Sequence, residues 1–159
     1  MHAGLKAQEI SKDIGKAAEL IRSRTDLVPE VALILGSGLG PLANEIENPV
    51  VIPYDEIPGI SPSTAPGHAG ELHLGMLQGR PVVAMKGRIH PYDGQPASSI
   101  AFPVRVMHEL GAPTLIVSNA CGGLVPDWSA GDLMLQTDFI NFTCMNPLVG
   151  DNQIGRAHV

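Results

Sequence analysis

An α/β fold built on a central mixed β-sheet flanked by helices is the architecture this sequence predicts. Three observations point to it. Helical periods alternate with short aliphatic runs; two of the runs, Val31 to Leu35 and Thr114 to Ser118, are continuous in the way of strands covered on both faces; and two more runs flank a tight turn. The alternation calls for parallel strands and the turn for an antiparallel pair, so the sheet is mixed. At 159 residues and 44% hydrophobic content the chain has room for one core and one domain.

The elements follow in order. Ile10, Ile14, Ala17, Ala18 and Ile21 recur at spacings of three and four, predicting a helix over Glu9 to Arg24 that starts near Ser11 or before it. Pro29 separates this helix from the strand Val31 to Leu35, which ends abruptly in Gly36-Ser-Gly-Leu-Gly40. Val50 to Ile52 predicts a short strand. Pro53, Pro58, Pro62 and Pro66 then forbid regular structure as far as Gly67, leaving a long shaped loop. Glu71 to Leu77 and Pro81 to Met85 form a hairpin about Gln78-Gly79-Arg80. Pro96 to Leu110 is helical in period through Ile100, Val104, Met107 and Leu110, with Pro103 bending or breaking it and Gly111 stopping it. Thr114 to Ser118 is a buried strand, and a further strand begins at Leu133 to Leu135.

Composition narrows the function. A net charge of -6 with scattered basic residues disfavours a nucleic-acid surface, which needs many phosphate contacts. No run approaches the roughly eighteen apolar residues of a membrane span, and Met-His-Ala-Gly-Leu-Lys lacks the charged and apolar regions of a secretory signal, so a cytoplasmic location is expected. Cys121 and Cys144 stand alone, predicting buried thiols and neither a disulfide framework nor a zinc ribbon. The partner these features favour is a small molecule.

Chemistry concentrates at strand ends. Gly87-Arg-Ile-His-Pro-Tyr-Asp-Gly94 places a guanidinium, an imidazole and a phenol just beyond an apolar strand, where open α/β sheets bind ligands. Arg88 can fork two bonds onto an oxyanion, and His90 can change charge near neutral pH. The glycines of Gly36 to Gly40 let backbone N–H groups approach an anion, to which Ser37 adds a hydroxyl; a tight turn with no ligand is the plainer reading of that loop alone. Its spacing fits neither a dinucleotide fingerprint, because Pro41 stands where glycine is needed, nor a nucleophile elbow. Asn119-Ala-Cys-Gly-Gly123 repeats the arrangement and suggests that Ala120 presents its amide to the same ligand. His68 lies in a glycine-flanked loop. His73 alternates with Leu72 and Leu74 and is expected to face solvent, and His108 is structural or exposed. No His-x-x-x-His pair supports a metal site.

Ile34-Leu-Gly-Ser-Gly-Leu-Gly40, Ser63-Thr-Ala-Pro-Gly-His-Ala-Gly70, Gly87 to Gly94, Phe102-Pro-Val-Arg-Val106 and Ser118-Asn-Ala-Cys-Gly-Gly-Leu124 together resemble, in order and spacing, the trimeric purine nucleoside phosphorylase family. The resemblance runs from about Val31 to Gly150. It implies a nucleoside phosphorylase-like fold and cleavage of purine nucleosides by inorganic phosphate, giving free base and pentose 1-phosphate, with phosphate as co-substrate and no other cofactor. By position it implies that Ser37, Arg88, His90 and the amide of Ala120 hold phosphate, with Arg88, His90 and His68 catalytic and His68 near both phosphate and sugar. Tyr92 would touch the ribose, and Asp93 would orient His90 by accepting a ring N–H. Cys121 departs from the alanine common in the family. A homotrimer is implied as well.

The family's C-terminal part, with the glutamate and asparagine that grip the purine, is expected to be missing. Residues 1–153 then read as part of a single nucleoside phosphorylase domain, and 154–159, which resembles a translated sequencing adapter, as a non-native tail. Methylthioadenosine phosphorylase is an alternative, but its usual replacements of the Pro-Gly-His-Ala-Gly and Tyr-acid-Gly segments are not seen. A catalytically inactive, phosphate-binding fragment is the alternative from another class.

Overall fold

The computed structural model describes residues 2–36, 38–60 and 70–148, with side chains from residue 12 onward. A mixed five-stranded sheet forms its centre, in the order β2-β3-β4-β1-β5. These strands are β1 (Val31–Leu35), β2 (Glu47–Pro53), β3 (Glu71–Leu77), β4 (Arg80–Lys86) and β5 (Thr114–Val117). β1 runs parallel to both β4 and β5, while β3 is antiparallel to β2 and β4. The predicted hairpin is therefore present. Its two-residue turn carries positive φ at both Gln78 (50°) and Gly79 (73°), the handedness that matches the twist of the flanking strands.

Alternation along the strands divides the core in two. Ala32, Leu72, Leu74, Val83 and Met85 face α1 (His2–Arg22) and α2 (Ala97–Glu109), meeting Ala17, Ala18 and Ile21 from the first and Phe102, Val106 and Met107 from the second. On the opposite face, Leu33, Leu35, Val82 and Ala84 pack beneath Ala43 and Ile46, in and after the 3-10 turn Gly40–Glu45.

Several expectations need correction. β5 is a strand but not a buried one: it lies at the edge of the sheet, pairs with β1 alone among the described strands, and has all four residues exposed. His73 is buried at 5% exposure, because the face it occupies on β3 is covered and does not open to solvent. Both cysteines are exposed, since they lie beyond β5 on a stretch that leaves the core. The segment Leu133 to Leu135 forms no strand, and Leu133 is 97% exposed. α1 spans His2–Arg22, so it starts earlier than Glu9 and stops short of Arg24, while a start before Ser11 agrees with the expectation. The proline-rich stretch contains a short 3-10 turn, Tyr54–Glu56, before residues 61–69, which lie outside the described residues. α2 continues through Pro103, whose fully buried ring packs in the core and offsets the lost main-chain bond. Its buried stripe centres on Phe102 and Val106, while Ile100 and Val104 sit at its edge.

Candidate functional site

The parallel arrangement of β4, β1 and β5 sends their carboxyl ends to one edge of the sheet. Register makes this concrete: Leu35 pairs with Lys86 and Ile34 with Val117, so Gly36, Gly87 and Ser118 are the next residues out from three adjacent strands. Of the predicted site residues, Arg88 and Ala120 are thereby brought to the same edge, with His90 and Tyr92 close behind. Ser37 follows Gly36 directly, but Ser37 and His68 both lie outside the described residues.

Ser118 links the three ends. Its hydroxyl accepts the Gly36 N–H at 3.0 Å and donates to the Ile34 carbonyl at 3.1 Å, while its own N–H also reaches Ile34 at 3.0 Å. Its carbonyl accepts a bond from Arg88 Nη1 at 2.9 Å. A guanidinium has five donors, so holding Ser118 is compatible with gripping an oxyanion. Gly36 has to be glycine here. A Cβ at that position would collide with the Ser118 carbonyl and stand 2.8 Å from Asn119 Cα.

Beyond Arg88, the backbone makes a 3-10 turn, Pro91–Asp93. Asp93 caps it by accepting the main-chain N–H of His90 at 2.9 Å, and Gly94 ends it at φ 76°. The imidazole of His90 stacks on the Tyr92 ring, with centroids 4.6 Å apart and planes 11° from parallel. Tyr92 is 77% exposed, which presents its phenol outward from the His90 face. Asp93 thus fixes the backbone that carries His90.

A cleft of ≈ 440 Å³ adjoins this edge, lined by Arg88 and by apolar side chains including Ile34, Met85, Ile100 and Val117. Its volume falls in the range of small-molecule sites, roughly 300–1,000 Å³. Among the described residues, no group of three His, Cys, Asp or Glu side chains is placed to hold a metal. No described helix is long and apolar enough to cross a membrane.

Two contributors escaped the sequence reading. Ser118 lies inside a motif already singled out, but its strand position gave no sign that its hydroxyl brackets β1. Tyr54 follows Pro53 at the start of a segment whose prolines predict only a loop. Its hydroxyl donates to the Gly87 carbonyl at 2.6 Å from a fully buried position. An aromatic residue among prolines, in a chain with only two tyrosines, was the available signal.

The family model described as the phosphorylase superfamily matches residues 30–158. Purine nucleoside phosphorylase 1 of Bacillus subtilis is 52% identical over 140 residues, covering 88% of this chain and 52% of the relative. Rattus norvegicus purine nucleoside phosphorylase is 49% identical over 144 residues, covering 89% of this chain and 50% of the relative. The chain spans about half the length of these curated relatives. Among solved structures, isoform 2 of the Schistosoma mansoni purine nucleoside phosphorylase, in complex with cytosine and ribose-1-phosphate, superposes with a TM-score of 0.70 at 42% identity, covering 76% of this chain and 42% of that one. A second purine nucleoside phosphorylase, in complex with ribose-1-phosphate, gives a TM-score of 0.70 at 45% identity, covering 76% and 44%.

Proposed function

We propose, since the chain belongs to the phosphorylase superfamily, that it carries the phosphate- and sugar-facing half of a purine nucleoside phosphorylase. The reaction cleaves the glycosidic bond of a purine nucleoside with inorganic phosphate, releasing the base and a pentose 1-phosphate. One observation carries this reading: the ends of three adjacent parallel strands meet where Arg88 bonds the Ser118 carbonyl beside Gly36. The relatives and the ribose-1-phosphate complexes support it.

The chemistry follows from charge. As the bond from the anomeric carbon to the base nitrogen breaks, its electron pair leaves with the base and the sugar becomes cationic. A phosphate dianion beneath that carbon stabilises the charge, and one of its oxygens then forms the new bond. Arg88, His90, Ser37 and the Ala120 amide are the proposed phosphate ligands, with His68 between phosphate and sugar. Arg88 complements the dianion's charge, His90 offers a ring nitrogen as a hydrogen-bonding group, and Tyr92, stacked on His90, is presented to the ribose. Phosphate is itself the nucleophile, so the scheme requires no resident cofactor or metal. A homotrimer in the cytoplasm is part of the same proposal, with purine nucleoside and phosphate as its small-molecule partners.

The test is phosphate-dependent base release from inosine, guanosine or adenosine by the full-length gene product. Release is expected from at least one nucleoside, and Arg88→Ala should lower the rate by about two to three orders of magnitude. No release from any nucleoside would contradict the enzyme reading. Saturable phosphate binding without release would favour a phosphate-binding chain that does not turn over.

A further inference from the structure

Tyr54 joins two segments that are far apart in sequence. Its ring is 1% exposed, at the junction of β2 and the following 3-10 turn. The hydroxyl donates to Gly87 O at 2.6 Å, and the main-chain N–H donates to Gly70 O at 2.8 Å. Gly87 is the residue immediately before Arg88, and Gly70 is the last residue before β3, two positions after His68 in sequence. Both glycines adopt left-handed φ, 99° at Gly87 and 62° at Gly70. β3 and β4 bring them side by side, since Glu71 pairs with Lys86.

A turn of this kind aims its carbonyl away from the strand ladder. Gly87 is buried, and a buried carbonyl left without a donor is unfavourable, so the Tyr54 hydroxyl selects the peptide orientation at Gly87–Arg88. That peptide sets the direction in which the Arg88 side chain leaves the backbone toward Ser118. Burial, assisted by the negative charge of Glu71, raises the phenol's pKa and keeps it a donor. Phenylalanine would fill nearly the same volume, so the hydroxyl is separable from the packing.

We propose that Tyr54 is a positioning residue of the anion site, acting through the Gly87–Arg88 peptide to hold the guanidinium at the strand ends. The proposal rests on the reading of Arg88 as a phosphate ligand. Tyr54 itself need not touch the substrate.

The experiment compares wild type, Tyr54→Phe and Arg88→Ala by amide hydrogen exchange and by titration with inorganic phosphate. In folded Tyr54→Phe, the amides of Arg88, Ile89 and His90 should exchange about tenfold faster while those inside β1 and β4 keep their protection, and phosphate affinity should fall about tenfold. Unchanged exchange at these three amides would overturn the proposal. So would unchanged phosphate affinity in Tyr54→Phe where Arg88→Ala does weaken binding, since the hydroxyl would then serve the core alone. If wild type binds no phosphate, the reading of Arg88 fails, and the exchange data still decide whether Tyr54 holds the turn. Should Tyr54→Phe not fold, proton NMR of wild type provides the second measurement. A slowly exchanging Tyr54 hydroxyl proton close to Gly87 supports the proposal, and a freely exchanging one refutes it.

Discussion

Gly36 shows how tightly a single position can be specified when two strand ends approach each other. The Gly36 N–H bonds the Ser118 hydroxyl, and no room exists for a Cβ against the Ser118 carbonyl. Gly36→Ala should therefore destabilise the fold by about 1–3 kcal/mol, the usual cost of forcing atoms into a filled space, measured by urea denaturation. Glu71 supplies a pH-dependent contribution. Its hydrogen bond with His73 at 2.9 Å, aided by Lys86 and opposed by burial, holds the carboxyl below its ordinary value of 4.5. A depressed carboxyl pKa stabilises the fold above the unfolded value, and that contribution disappears as pH falls through the folded value. Stability should thus drop on acidification below about pH 4.5, and Glu71→Gln should remove part of that dependence in denaturation curves recorded across the range. His73 also marks what residue patterns miss. Polar alternation with leucines suits a half-exposed strand, yet the 3-10 turn and Ile46 cover its face, and its Nδ1 has no partner among the described residues.

At the scale of elements, the parts fixed by local chemistry were legible in advance. The β3–β4 hairpin follows from two runs flanking Gln78-Gly79-Arg80; Arg80 already belongs to β4, and Gln78 and Gly79 take the positive φ that a two-residue turn requires. Nothing lies within 4 Å of a Cβ built on Gly79, so Gly79→Ala should cost about 1 kcal/mol from backbone strain alone, read as a shift in urea midpoint. The apolar runs of β1 and β5 were equally plain as strands, but the burial of β5 was not: it lies at the sheet edge with all four of its residues exposed, because burial depends on a neighbour that an apolar run does not encode. Leu133 to Leu135 was not plain even as a strand, because aliphatic residues supply only propensity, and a strand also needs a neighbour to complete its hydrogen bonds. No described strand lies alongside it. Hydrogen exchange should show protection within β1, β3 and β4 and rapid exchange over residues 119–140, where the chain is exposed. Strong protection at residues 133–135 would place that segment in a sheet.

Across the whole molecule, apolar side chains are unevenly distributed. Leu124 (98%), Leu133 (97%) and Phe142 (86%) are exposed beyond β5, and Leu115, Ile116 and Val117 of β5 itself are exposed, while the core between β1–β4 and the helices is closed. Contiguous apolar exposure promotes association, so sedimentation of the isolated chain should depend on concentration, and a monomer at all concentrations would contradict this. The candidate site was legible in outline for a related reason. Glycine-rich strand ends and Arg88 could be read locally, but their convergence depends on β1 lying between β4 and β5, an order that no local pattern encodes. The brackets supplied by Ser118 and Tyr54 depend on that order too, being contacts across 82 and 33 positions of sequence.

The central claim is that these three strand ends form one oxyanion cradle. Calorimetric titration of inorganic phosphate into the folded chain, beside Arg88→Ala of matched circular dichroism, tests it most directly. A single saturable site, weakened at least about tenfold by the substitution, is the predicted result, since one charge-assisted bond is worth roughly 1.5–3 kcal/mol. Equal phosphate affinity in the two proteins, or no saturable binding by folded wild type, would contradict it.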